Sequence, residues 1–167
     1  TFTLFTLHAM LDRHHLPNLV GEPWLMGILC ETTVRFSSEE FICTTCLIEL
    51  SRINLVENTP NWVRAKFDGL IDFEHAIAFF HFMPGSRVQQ LMHQIKYKGA
   101  SDLGIFLGVW AGNALKKSHY CSEVNCIVAI PLHPKRLTER GYNQAAVIAR
   151  GLAQSLEITL LEDVLAR

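Results

Sequence analysis

The chain has no run of about 18 apolar residues, so no membrane-spanning helix is expected. Its first residues, TFTLFTLHAML, are apolar but carry no basic start, which argues against a secretory signal. They also lack an initiator Met, which leads us to expect a trimmed or partial chain. Cysteine is sparse: five residues at uneven spacing make no disulfide framework and point to a reducing, cytoplasmic compartment. There is no G-x-x-x-x-G-K loop, no G-x-G-x-x-G fingerprint and no Ser-His-Asp set. No internal repeat and no low-complexity tract interrupt the chain. The net charge of −1 gives no bulk attraction to nucleic acid or to a membrane surface.

What is present is apolar residues, 49% of the total, in a chain of 167 residues. That suffices for one packed domain with a small appendage. Charge is unevenly shared. Residues 1–75 hold ten acids and five bases, a net of −5, and residues 76–167 carry +4. The second half is the better host for an anion.

Residues 1–26 are broken by Pro17, Gly21 and Pro23. Residues 27–50 read as a small cysteine-containing module with a short helix over 45–51. HAIAFFHF, residues 75–82, has strand length and ends at the Pro84-Gly85 turn. Ser86 suits an N-cap, and Val88, Leu91, Met92 and Ile95 form the stripe of a helix closed by Gly99. Ser101 is expected to cap the next helix. Leu103, Phe106, Leu107, Trp110, Ala114 and Leu115 form its buried face, with Lys116 and Lys117 at its end. Ile127–Leu132 reads as a strand buried on both faces, 144–156 as an amphipathic helix and 158–161 as a further strand. Helices alternating with strands predict an α/β fold with a mostly parallel sheet. Two units are expected, 1–74 and 75–167.

The stretch IVAIPLHPKRLTERGYNQAAVIARGLA concentrates positive charge between a strand and a helix. Ligands of open α/β sheets bind beyond the carboxyl ends of strands. There the segment offers Lys135, Arg136 and Arg140, with His133 as a further donor and Glu139 as an offsetting acid. Gly141 permits a close backbone approach, and the following helix presents unpaired N–H groups. Arg forks suit phosphate oxygens. These residues predict a polyanion site for pyrophosphate or a phosphorylated sugar. A merely solvated basic loop, with Asn143 as a simple cap and Gly141 as a simple turn, is the competing reading. Lys96 and Lys98 are accessory candidates, or else complement the end of their own helix. His93, beside an apolar stripe, reads as a surface or packing residue rather than a base.

PLHPKRLTERGYNQA closely resembles the P-L-x-x-x-R-x-x-x-R-G-[FY]-N-Q segment of the ComF/GntX family, through Pro131, Leu132, Arg136, Arg140, Gly141, Tyr142, Asn143 and Gln144. LMHQIKYKG is similar to that family's L-I-x-x-x-K-Y-x-G stretch, through Leu91, Lys96, Tyr97 and Gly99. The resemblance spans about residues 75–167 and, less securely, 27–50. It implies an incomplete type I phosphoribosyltransferase-like domain behind a degenerate zinc-ribbon-like module. Lys135, Arg136, Arg140, Gly141, Asn143 and Gln144 would then grip the pyrophosphate of phosphoribosyl pyrophosphate, accompanied by Mg²⁺. Such folds also use two adjacent acids followed by a Thr/Gly-rich turn. Glu162-Asp163 is followed here by Val-Leu-Ala-Arg instead. We therefore expect a fragment or truncated product, catalytically incomplete as it stands. Some family members are linked to DNA uptake, so an accessory that binds single-stranded DNA or competence proteins is the alternative.

Cys43 and Cys46 have the C-x-x-C spacing of a shared metal, with Cys30 upstream. The family pattern would supply another Cys where Thr33 stands. A fourth zinc ligand would have to be a His such as His14, His15 or His75. The alternative is a module that has lost its metal and packs as an ordinary subdomain. Cys121 and Cys126 read as buried thiols.

Overall fold

The computed structural model describes residues 3–5, 29, 41–50 and 63–166. It combines helices with small parallel sheets, and no closed barrel forms among these residues. In chain order the elements are β1 (Thr3–Phe5), α1 (Thr44–Glu49), β2 (His75–Ile77), α2 (Arg87–Tyr97), α3 (Ser101–Leu115), β3 (Cys126–Val128), α4 (Pro134–Arg140), α5 (Gln144–Leu156) and β4 (Thr159–Leu161). Strand β1 pairs in parallel with β2, Thr3 opposite His75. Strand β3 pairs in parallel with β4, Cys126 opposite Thr159 and Val128 opposite Leu161. Parallel neighbours need a long crossover, and α4 and α5 supply it for the second pair. None of the helices among the described residues is long and apolar enough to cross a membrane.

Helix α2 matches its sequence pattern closely. The Ser86 hydroxyl accepts from Gln89 N at 3.3 Å, and the Gln89 side chain reaches back to Gly85 N. Val88, Leu91, Met92 and Ile95 are buried, and Gly99 turns the chain at φ +66°. Helix α3 starts differently from expectation. Ser101 is its first helical residue, and buried Ala100 takes the cap position without a side-chain bond. The reason is the tight Gly99 turn, in which Ser101 N already donates to Gly99 O at 2.8 Å.

The expected buried face of α3 is also shifted. Leu103, Leu107 and Leu115 are buried, but Phe106, Trp110 and Ala114 are only half-buried. Gly104, Gly108 and Gly112 are buried with the leucines, at i, i+4 and i+8, and face α5. A Cβ on Gly108 would lie 2.1 Å from Ile148 O, and one on Gly151 would lie 2.1 Å from Ile105 O. The two helices therefore touch backbone to backbone. Trp110 instead meets Phe79 and Phe80, with ring centroids 5.5 and 5.9 Å away. Strand β2 accordingly ends at Ile77, short of the expected 82.

Strand β3 is shorter than the apolar run that announced it, and one face is open. Ile127 is buried, whereas Val128 and Ile130 are 37% and 54% exposed. Pro131 has no N–H to continue a ladder, and Ile130 O accepts a side-chain bond instead. Among the described residues only one side of this sheet is covered, by α5, through Ile127, Ile148, Ala149 and Leu152.

Helix α1 starts at Thr44, one residue ahead of the expected range, with Cys43 as its cap, and ends at Glu49, two residues short of it. Cys43, Cys46 and Leu50 share a cluster with Leu91, Ile95, Leu103 and Leu107 of α2 and α3. Arg87 Nε bonds Glu49 Oε2 at 2.7 Å. The cysteine segment is thus packed onto the second half of the chain. Cys121 is half-buried and Cys126 exposed, correcting the expectation of two buried thiols: Cys126 lies on the uncovered side of β3. Burial pushes the Cys121 thiol up from its ordinary range.

Candidate anion site

The basic segment is a short helix rather than a loop. Pro134 occupies N1, where its missing N–H costs nothing. His133 caps the helix, its Nδ1 accepting from Lys135 N at 3.2 Å. Thr138 Oγ1 donates back to Pro134 O at 3.1 Å. Gly141, at φ +77°, closes the helix by donating its N–H to Leu137 O at 2.8 Å. The Pro-first, Gly-last pattern was present in the sequence, but the density of charge made a loop the obvious reading.

Arg136 and Arg140, four residues apart, share a face of α4. Their partners differ. Arg136 Nη1 bonds Glu139 Oε2 at 2.9 Å, and Lys135 and Arg136 are exposed. Arg140 Nη1 bonds Gln144 Oε1 at 3.0 Å, and its guanidinium lies 5.9 Å from the Tyr97 ring centroid. Gln144 is buried and uses its other end to donate to Tyr142 O at 3.0 Å.

Asn143 is likewise committed. Its Oδ1 accepts from Ala145 N at 3.0 Å, capping α5, and its Nδ2 donates to Ile130 O at 2.9 Å. The Tyr142 hydroxyl donates to Ile95 O, one of the carbonyls that the last turn of α2 leaves without an intrahelical partner. Burial is the main cause that holds the Tyr142 phenol up at about 12; Arg140 lowers it and Asp102 raises it. Tyr142 therefore stays protonated, as a donor, across the neutral range. Asn143 and Gln144 are thus scaffold residues of the segment. Lys96 is buried, while Lys98 is half-buried beside the Gly99 turn.

Strands β3 and β4 run parallel and in register, so the segments that leave their C-terminal ends emerge at the same edge of the sheet. After β3 comes the basic segment. After β4 comes Glu162-Asp163, which the sequence pattern alone did not connect with it. Glu162 is held by a two-pronged contact from Arg150, at 2.8 and 3.0 Å. This holds the Glu162 carboxyl below its ordinary range and raises Arg150. Asp163 sits in the left-handed region at φ +62°.

The zinc reading involves partly undescribed residues. Cys30, His14 and His15 lie outside the described residues. Cys43 Sγ accepts from Cys46 N at 3.5 Å, and both side chains sit in the apolar cluster of α1, α2 and α3. His75 stacks edge-on with Tyr120 at 5.0 Å. Among the described residues no three His, Cys, Asp or Glu side chains group as a metal site.

Comparison with protein-family models, with curated proteins and with solved structures finds no match for this chain.

Proposed function

We propose that the segment from Lys135 to Gln144, with the last turn of α2, binds the phosphate groups of a phosphorylated sugar. Phosphoribosyl pyrophosphate is the ligand that the resemblance to the ComF/GntX family favours. In this reading the protein is phosphoribosyltransferase-like, and Lys135, Arg136 and Arg140 supply the charge that meets a diphosphate. Mg²⁺ would arrive on the diphosphate's own oxygens. One observation carries the reading. Two sequence stretches singled out separately, around Lys96-Tyr97 and around Arg140–Gln144, meet through Arg140 on Tyr97 and Tyr142 on Ile95 O. That junction fixes the polar residues of a basic segment next to the N-terminus of α5, where anions are favoured.

Titration calorimetry of the chain with phosphoribosyl pyrophosphate, inorganic pyrophosphate and a single-stranded oligonucleotide tests it. We expect both diphosphates to bind, and Arg140→Gln to weaken them about tenfold or more. Oligonucleotide binding with no response to either diphosphate would overturn the reading and favour a nucleic-acid accessory.

A further inference from the structure

The two arginines of the basic segment are not equivalent, and the difference assigns a role to an acid. Arg140 is half-buried, bonded to buried Gln144 and stacked on Tyr97. Its charge is fixed in place by the fold. Arg136 is 47% exposed, and its guanidinium is oriented by the Glu139 carboxylate three residues on. That carboxylate oxygen, 2.9 Å from Arg136 Nη1, accepts from a guanidinium N–H that a phosphate oxygen could equally take.

We propose that Glu139 is a built-in competitor for the anion: it occupies Arg136 until a diphosphate displaces it. The competitor role rests on the proposed anion site and would govern its affinity. A surface pair at i, i+3 is weak, so a polyanion that also meets Lys135 and Arg140 takes Arg136 away from it. The cost of releasing Arg136 from Glu139 is then subtracted from binding, which lowers affinity and disfavours ligands too weakly charged to break the pair.

A double-mutant cycle with inorganic pyrophosphate as probe tests this on the whole chain. Glu139→Gln is expected to tighten binding about two- to fivefold. Arg136→Gln is expected to weaken it about tenfold. The deciding measurement is Glu139→Gln in the Arg136→Gln background, where the gain should vanish because there is no guanidinium left to release. An equal gain in both backgrounds would mean that Glu139 acts only through bulk charge, and the competitor role would be overturned while the anion site stood. Absence of pyrophosphate binding in all four proteins would overturn the site and the competitor together. Glu139 and Arg136 are exposed, so neither variant threatens the fold.

Discussion

At Gly108, α3 comes so near α5 that a Cβ atom would sit 2.9 Å from Gly151 Cα. About two turns nearer its start, the same helix α5 begins in a set of side-chain hydrogen bonds from Arg140, Tyr142, Asn143 and Gln144. The glycine seam is held by shape. Its glycines have no side-chain bond to lose and no volume to spare. The basic segment is held by directional bonds. It has room around it but little tolerance for changed chemistry. One helix thus carries a stability determinant on its middle turns and a candidate binding determinant at its first turn. The difference makes the two roles separable by mutation.

The largest effect should come from filling the seam. Gly108→Ala and Gly151→Ala each push a methyl group against backbone atoms that no rotamer change can move. We expect each to lose about 3 kcal/mol or more in urea unfolding. Because the two glycines face each other, the double variant should lose less than the sum. Gly104 sharpens the contrast. Its nearest neighbour is the Val147 Cγ1 methyl at 2.9 Å, a side chain rather than backbone. There the gain of about 1 kcal/mol in helix propensity offsets the crowding, and Gly104→Ala should stay within about 1 kcal/mol of wild type. A Gly108→Ala protein as stable as Gly104→Ala would break the idea of a backbone-tight seam.

The segment should respond less in stability and more in binding. Asn143→Ala removes the cap of α5 and the bond to Ile130 O, a loss of about 1–2 kcal/mol. Tyr142→Phe leaves Ile95 O without its donor and should lose about 1 kcal/mol. Both should also weaken pyrophosphate, since Arg140 is oriented by the same network. Gly104→Ala should bind it as wild type does. Equal pyrophosphate affinity in Asn143→Ala, Tyr142→Phe and wild type would erase the contrast between seam and segment.

The two regions were unequally legible in the sequence. The apolar stripes of α2 and α5, the Ser86 cap and the Gly99 turn came directly from periodicity and turn chemistry, because each is a local property. The seam was missed because hydrophobic patterning does not weigh glycine. Gly104, Gly108 and Gly112 share a face with Leu103, Leu107 and Leu115, yet only the leucines register as apolar. The residues proposed to meet an anion were named from the sequence, but not how the fold divides them. Which of Arg136 and Arg140 is fixed depends on Tyr97 and Gln144, and the Tyr97 contact is non-local. The pairing of Arg136 with Glu139 was visible as an i, i+3 spacing, and its consequence appears only once 134–140 is helical. The end of β3 was misjudged for a similar reason. An apolar run does not reveal that Ile130 O is taken by Asn143.

The smallest expected effect lies at the other face of α5, where Arg150 holds Glu162 and so fixes the residue just after β4. The Glu162 carboxyl lies below its ordinary value of 4.5 in the folded chain, first through the hydrogen bond from Arg150. A depressed folded value means that protonation favours the unfolded state. The contribution is therefore complete above 4.5 and is lost as pH falls through the lower folded value. Both groups are exposed, so salt should weaken it further. Carbon NMR titration of the Glu162 carboxyl should show a midpoint below that of an ordinary glutamate, and Arg150→Gln should return it to the ordinary range. Neither change should disturb the seam, whose glycine contacts contain no titratable group, nor the pyrophosphate response of the basic segment. A change in pyrophosphate affinity on Arg150→Gln would instead tie the acid pair at the end of β4 to the anion site, because the two segments leave the same edge of the sheet and only their charges could then connect them.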